Sequence, residues 1–331
     1  MMKVTVIGDG AFGTAIALHL DKQANIEVRM WSAQSEQYER LSVDRENKKY
    51  LPGVPIPESI QLFDDPVKAV AGADLWVSVI PTVYLRSTIS RFRGLEKSPA
   101  VISLTKGVEQ NTFLRPSEII SEILETDRVM VLSGPTHAEE VSRGLPTSVA
   151  VAGADPILTS MAQQVFNSNR LRVYTNSDLV GVELAGALKN VIGIAAGISD
   201  GLGYGDNAKS ALVTRGLVEM ARFGVAHGAD AATFNGLAGL GDLITTCFSQ
   251  YGRNRRVGER LGRGESLQQI LANTTAVCEG VTTAKSIYER SSKMGLELPI
   301  MTAVYRVLYE GLTPIEGVQQ VLSRRSGSER W

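Results

Sequence analysis

The sequence predicts an α/β fold joined to an all-α one: an N-terminal Rossmann-type, doubly wound, largely parallel sheet, then a C-terminal helical domain. Three observations carry this. Residues 3–176 alternate short β-branched runs with helical periods, the pattern of βαβ units. After about residue 178 the strand signal stops, and helical periods separated by glycine-rich breaks follow. At 331 residues the chain also exceeds the size at which one core keeps growing. The division expected is a dinucleotide-binding domain over residues 1–178 and a substrate-binding, catalytic domain over 179–331.

Charge narrows the function. The 34 basic and 35 acidic residues are spread along the chain and leave a net charge of −1, which argues against a nucleic-acid surface or an acidic tail. Any basic site is therefore local. Two cysteines, Cys247 and Cys278, and three histidines without metal-ligand spacing predict a reducing compartment and no metal. The opening "MMKVTVIGDG" reaches glycine too soon for a signal peptide, and no uncharged apolar run reaches about 18 residues. A soluble, cytoplasmic chain with no membrane span is expected. The closing "RRSGSERW" is polar, is expected to fray, and receives no role.

The strand runs are, in order, "KVTVIG", "IEVRMW", "ADLWVSVIP", "AVISLTKG", "RVMVLSGP", "TSVAVAG" and "NRLRVYTN". Between the first and the helix that follows, "VTVIGDGAFGTAIALHL" sets Gly8, Gly10 and Gly13 in the G-x-G-x-x-G pattern. Such a pattern alone is weak. Here it follows a first strand, opens a helix and precedes a second strand, as a dinucleotide fold requires. Gly10 would let the backbone approach a pyrophosphate while the helix N-terminus supplies N–H donors. After Trp31, where an acid would hold a ribose 2′-hydroxyl or an arginine a 2′-phosphate, the chain reads Ser32-Ala33-Gln34. Neither reader is present, so the cofactor is NAD or NADP.

Ligands of open α/β sheets bind beyond the carboxyl ends of the strands, and three junctions stand out there. In "VIPTVY", Pro81 ends a strand and Thr82 to Tyr84 begin a turn, as suited to a plain strand stop as to a cofactor contact. In "VISLTKG", Lys106 stands just past a strand. In "VLSGPTHAEEV", Gly134 and Pro135 lead into Thr136-x-x-Glu139, the spacing of a capping box.

The long helix "VELAGALKNVIGIAAGISDGLG" holds Lys189 among small residues: Ala185 and Gly186 one turn back, Gly193 and Ala196 ahead. That face admits either a small molecule or a tightly packed helix with the lysine snorkelling outward. Downstream, "GLAGLGDLITTC" and "YGRNRRVGERLGRG" carry Asp242, Thr246, Arg253 and Asn254. Arg253-Asn254 beside glycines suits a phosphate ester. Arg255, Arg256, Arg260 and Arg263 read mostly as a solvated face.

Together "GAFGTA", "SLTKG", "LSGPTHAEEV", "GVELAGALKNVIGIAAGISDGLGYGDNAKSALVTRGL", "GLAGLGDLITTC" and "GRNRRVG" resemble the bacterial-type NAD(P)-dependent glycerol-3-phosphate dehydrogenases, in the right order over nearly the whole chain. The resemblance implies interconversion of dihydroxyacetone phosphate and sn-glycerol 3-phosphate, feeding glycerophospholipid synthesis, in a homodimer. It implies that Lys189 donates and accepts the proton, with Lys106 touching substrate and cofactor. Gly134, Thr136, Asn190, Asp242, Thr246, Gly252, Arg253 and Asn254 would line the substrate. Ala11, Phe12, Ala138, Arg253, Val277 and Glu279 would meet the cofactor. The chain departs from the family at Phe12, usually Trp, at Ala11, often Ser, and at Ala33 and Gln34, where bacterial members often carry basic residues. Gly252 replaces a serine that contacts substrate in many bacterial members.

Hydride transfer to a ketone develops negative charge on the carbonyl oxygen, which Lys189 can meet with a proton. Burial and Lys106 should lower its pKa, Asp242 should oppose that, and the phosphate held by Arg253 and Asn254 should fix the carbonyl in place. Two other readings remain: a β-hydroxyacid or imine reductase of the same architecture, and a dinucleotide-binding redox sensor without chemistry.

Overall fold

The computed structural model describes residues 1–274 and 277–325. Most of "RRSGSERW", where fraying is expected, lies outside the described residues. Eight strands form one sheet: β1 (Met2–Ile7), β2 (Ile26–Trp31), β3 (Gln61–Phe63), β4 (Leu75–Ser78), β5 (Val101–Ser103), β6 (Val129–Ser133), β7 (Thr147–Gly153) and β8 (Leu171–Asn176). Their order is β3-β2-β1-β4-β5-β6-β7-β8. Every pairing is parallel except β6 with β7. That reversal follows from the connection, which holds only the five-residue helix Ala138–Ser142, too little for a crossover along the sheet. Seven strands match the runs read from the sequence. The eighth, β3, has three residues at the sheet edge with Gln61 exposed, too short for an alternating pattern to register.

Period-two alternation sends successive strand residues to opposite faces. Val4, Val6, Val28, Met30 and Val77 enter one core layer. Ile7, Trp31 and Trp76 enter the other, where Phe92 meets Trp31 edge-on at 4.9 Å. The chain leaves β1 for β2 on one side and resumes with β4 on the other, so the crevice expected for a ligand opens above β1 and β4.

No strand follows Asn176 among the described residues. Helix Leu179–Gly201 runs through the middle of the C-terminal half and is buried from Gly181 to Ser199. It is long and apolar enough to cross a bilayer, yet its apolar window is 89% buried within the protein, the mark of a core helix. Helix Arg253–Gly262 crosses it backbone to backbone: a Cβ on Gly197 would lie 1.9 Å from the Arg255 carbonyl oxygen. Glycine at this crossing permits the approach. The solvated face expected of the arginines is corrected in part. Arg255 is half-buried with its Nε 2.6 Å from Asp200 Oδ2, because the crossing presses that side of the helix inward. Arg260 pairs with Glu265, while Arg256 and Arg263 are exposed as expected.

A buried anchor joins the halves. Glu183 accepts from Arg115 Nη1 at 2.7 Å, Ser117 N at 2.8 Å and Ser117 Oγ at 2.7 Å.

Candidate active site

Lys106, just beyond β5, reaches across the crevice. Its Nζ donates to Gly134 O at 2.8 Å, Thr136 Oγ1 at 3.2 Å and Asp242 Oδ2 at 2.7 Å. From the other side Lys189 Nζ donates to Asp242 Oδ1 at 2.7 Å and Thr246 Oγ1 at 2.6 Å. Asp242, only 1% exposed, thus takes one lysine on each oxygen. A π-helical turn, Leu237–Gly241, delivers it to the first position of helix Asp242–Phe248, a local irregularity of the kind that re-aims functional side chains. An ammonium has three donors. Lys106 spends all three, while Lys189 spends two and keeps one.

Lys189 does not snorkel; it is 7% exposed. Burial pulls its ammonium down to about 8, Asp242 pulls upward, and the Lys106 charge adds to the fall. The small residues around it admit the rest of the site. An ideal Cβ on Gly193 would lie 2.7 Å from Thr246 Cγ2, and one on Gly186 would lie 2.9 Å from Ser133 Oγ. Tight packing and the site are therefore the same feature. Neighbouring Cys247 is buried, and its thiol is pushed up to about 12, so it stays protonated.

The capping box expected at Thr136 and Glu139 does not form. Helix Ala138–Ser142 takes His137 as its cap without a side-chain hydrogen bond, and Thr136 Oγ1 instead receives Lys106 and donates to Gly134 O at 3.2 Å. The lysine, a charged donor, outcompetes a backbone amide for that hydroxyl. Asn190 donates to Lys106 O at 3.2 Å and receives Asn254 Nδ2 at 2.9 Å, while Asn254 Oδ1 accepts from Gly280 N at 3.1 Å. Gly252 is buried and caps helix Arg253–Gly262. Arg253, the first residue of that helix, is exposed; its charge acts on Glu279 and Cys278, but its guanidinium makes no hydrogen bond to the described residues, leaving the fork open to an anion.

At the other end of the crevice the glycine loop fits a dinucleotide phosphate. Helix Ala11–Asp21 begins at Gly10 with no side-chain cap and no acid in its first turn. Nothing lies within 4 Å of where a Gly10 Cβ would stand, whereas one on Gly13 would meet Gly8 O at 2.0 Å. The loop is closed by its own backbone on one side and open on the other, with N–H donors unspent. Ala11 and Phe12 are half-buried there, and Ala138 is buried below the β6 turn. From the helical half, Glu279 Oε1 accepts from Thr82 N at 2.7 Å, its Oε2 is buried without a partner, and burial raises its pKa. Val277, two residues earlier, is half-buried.

Thr82, which the sequence left between a plain strand stop and a cofactor contact, gives its backbone N–H to Glu279. One residue at the site escaped the sequence reading. His137 places its ring 5.6 Å from that of Tyr251, with Nε2 buried and unpartnered. Burial first, then the Lys189 charge, lowers its pKa. Its place beside Thr136 was the only signal available.

The sequence profile for the N-terminus of NAD-dependent glycerol-3-phosphate dehydrogenase matches residues 3–158, and that for the C-terminus matches residues 178–319. The chain belongs to this family. It is 43% identical to glycerol-3-phosphate dehydrogenase [NAD(P)+] of Chlorobium phaeobacteroides (strain BS1), over 99% of each chain. With the enzyme of that name from Geobacillus thermodenitrificans the identity is 46%, over 99% of this chain and 97% of the other. The crystal structure of glycerol-3-phosphate dehydrogenase from Coxiella burnetii superposes with a TM-score of 0.93 at 34% identity, covering 98% of this chain and 99% of that one. A D-mandelate dehydrogenase and a ketopantoate reductase share the fold, at 14% and 18% identity.

Proposed function

We propose that this member of the glycerol-3-phosphate dehydrogenase family interconverts dihydroxyacetone phosphate and sn-glycerol 3-phosphate with NADH or NADPH. The observation that supports it most is the Asp242 clamp, which holds Lys189 in a dry site with one donor to spare. Residues 1–178 hold the dinucleotide on this reading, and residues 179–331 bring the proton donor and the phosphate anchor to it. Gly8, Gly10 and Gly13, with the N–H groups of Ala11 and Phe12, would cradle the pyrophosphate. Glu279, Val277 and Ala138 would border the cofactor farther along. When bound, the nicotinamide supplies or takes the hydride.

The chain's own residues do the rest. Lys189 gives its proton to the carbonyl oxygen in reduction and takes it back in oxidation. Asp242 fixes the position of that amine, and its negative charge keeps part of the lysine population protonated. Lys106, pinned by Gly134 and Thr136, adds a second positive charge over the crevice. Arg253 and Asn254 hold the phosphate at the far end, so binding energy remote from the reacting carbon orients it. Gly252 and Thr246 complete the wall. A β-hydroxyacid or imine reductase would leave the free Arg253 fork without a phosphate to bind, so that alternative is not favoured.

We place the enzyme in the cytoplasm as a homodimer that supplies glycerol 3-phosphate to glycerophospholipid synthesis; the two buried cysteines, Cys247 and Cys278, which form no disulfide among the described residues, suit a reducing compartment. Loss of nicotinamide absorbance on mixing protein, dihydroxyacetone phosphate and NADH or NADPH tests the activity. No oxidation with either cofactor would refute it.

A further inference from the structure

The end of β2 lacks the carboxylate that commonly holds the adenosine ribose, yet a carboxylate stands at that corner. Asp9, between Gly8 and Gly10, projects from the loop that fits the pyrophosphate. Its backbone is pinned: Asn47 Nδ2 donates to Asp9 O at 2.8 Å and to Thr14 Oγ1 at 2.8 Å. The Ser32 hydroxyl, first after β2, lies beside its carboxyl group. Asp9 Oδ2 is shut off from solvent without a hydrogen-bond partner, and such an acceptor is costly until a donor reaches it. Burial raises its pKa, while Ser32 and the Lys49 charge draw it down.

We propose that Asp9 receives the hydroxyls of the adenosine ribose in place of an acid at the end of β2, and that it makes this chain select NADH over NADPH. This rests on the dehydrogenase reading above. Ser32 serves one part of the carboxyl group, and a ribose hydroxyl is the kind of donor that its unpartnered Oδ2 lacks. A 2′-phosphate is not: it is all acceptor, and it sets two like charges together in a half-buried corner. Two cations face this corner. Lys49 lies over the Tyr50 ring at 4.7 Å. Arg91 lies over Trp31 at 4.6 Å with Nη1 donating to Ala33 O at 3.0 Å. Arg91 spends Nη1 on the β2 loop and lays its plane on Trp31, and the choice of dinucleotide is assigned to the Asp9 carboxylate rather than to this cation.

Dissociation constants of NADH and NADPH, measured by nicotinamide fluorescence on the whole protein without substrate, decide the matter. The native chain should bind NADH about tenfold or more tightly than NADPH. Asp9→Ser should close most of that gap by strengthening NADPH, and Arg91→Ala should leave the ratio where it was. Without any variant, 5′-AMP should displace NADH more readily than adenosine 2′,5′-bisphosphate. Equal or tighter NADPH binding by the native chain overturns the inference. So does an unchanged ratio in an Asp9→Ser protein that melts like the native one, or a ratio that moves with Arg91→Ala. Binding of neither dinucleotide would instead sink the dehydrogenase reading and this inference with it; reduction of dihydroxyacetone phosphate with no cofactor preference sinks this inference alone.

Discussion

Lys189 and Asp242 are 53 residues apart in sequence and meet at 2.7 Å, with the second oxygen of Asp242 already occupied by Lys106. One carboxylate between two ammonium groups leaves the triad with a net positive charge, which suits a site where negative charge develops on a carbonyl oxygen.

Replacing Lys189 by Ala removes the proposed proton donor and one of those charges. Turnover should fall by roughly a thousandfold or more, while NADH binding, followed by fluorescence, stays near the native value. Activity within tenfold of native would take Lys189 out of the chemistry.

The Lys189 pKa of about 8 sets the pH dependence. Reduction needs the ammonium, so its kcat should decline as pH rises through about 8. Oxidation needs the free amine and should gain over the same interval. Asp242→Asn removes the charge that holds the pKa up, so the reductive decline should move to lower pH. It also leaves the buried Lys189 ammonium and the half-buried Lys106 ammonium without a counter-charge, costing about 3 kcal/mol or more in unfolding free energy. Rate profiles in both directions, with a urea titration of the variant, check all four statements.

Arg253→Ala should raise KM for dihydroxyacetone phosphate roughly ten- to a hundredfold, the worth of a charge-assisted hydrogen bond or two. Arg253 is exposed and without an internal hydrogen bond among the described residues, so the melting temperature should not move. An unaltered KM would mean the phosphate sits elsewhere.

Glu219 is buried and accepts from Ile300 N at 2.8 Å and Met301 N at 3.1 Å, at the start of helix Pro299–Tyr309. Burial raises its pKa from 4.5 to about 7. The folded state therefore keeps a proton that the unfolded chain releases, and stability from this group is lost as pH rises from about 4.5 through about 7. Glu219→Gln should flatten that part of the melting-temperature profile; an identical slope in both proteins would assign the pH dependence to other groups.

Much of this architecture is legible in the sequence because it rests on local rules. Strand runs, the glycine loop and the position of Lys106 all follow from periodicity and from what must stand beyond a strand end. Lys189 drew notice as a charge on a small apolar helix, although only the structure could decide whether it faced a site or solvent. What sequence reasoning lost is tertiary. Thr136 looks like a cap until a distant lysine claims its hydroxyl. Arg255 looks solvated until a glycine crossing buries it against Asp200. Nothing around His137 in the chain announces Tyr251, 114 positions away by numbering (251 minus 137).

The amides of Asn254 and Asn190, running to the Lys106 carbonyl, join the helix that begins at the phosphate anchor to the loop that carries a crevice lysine. The span from anion to proton donor is then set by protein bonds rather than by the substrate's own shape. If Arg253 and Asn254 hold the phosphate as proposed, the crevice would work as a gauge: a phosphate ester one carbon longer should seat its anion or present its carbonyl, but not both.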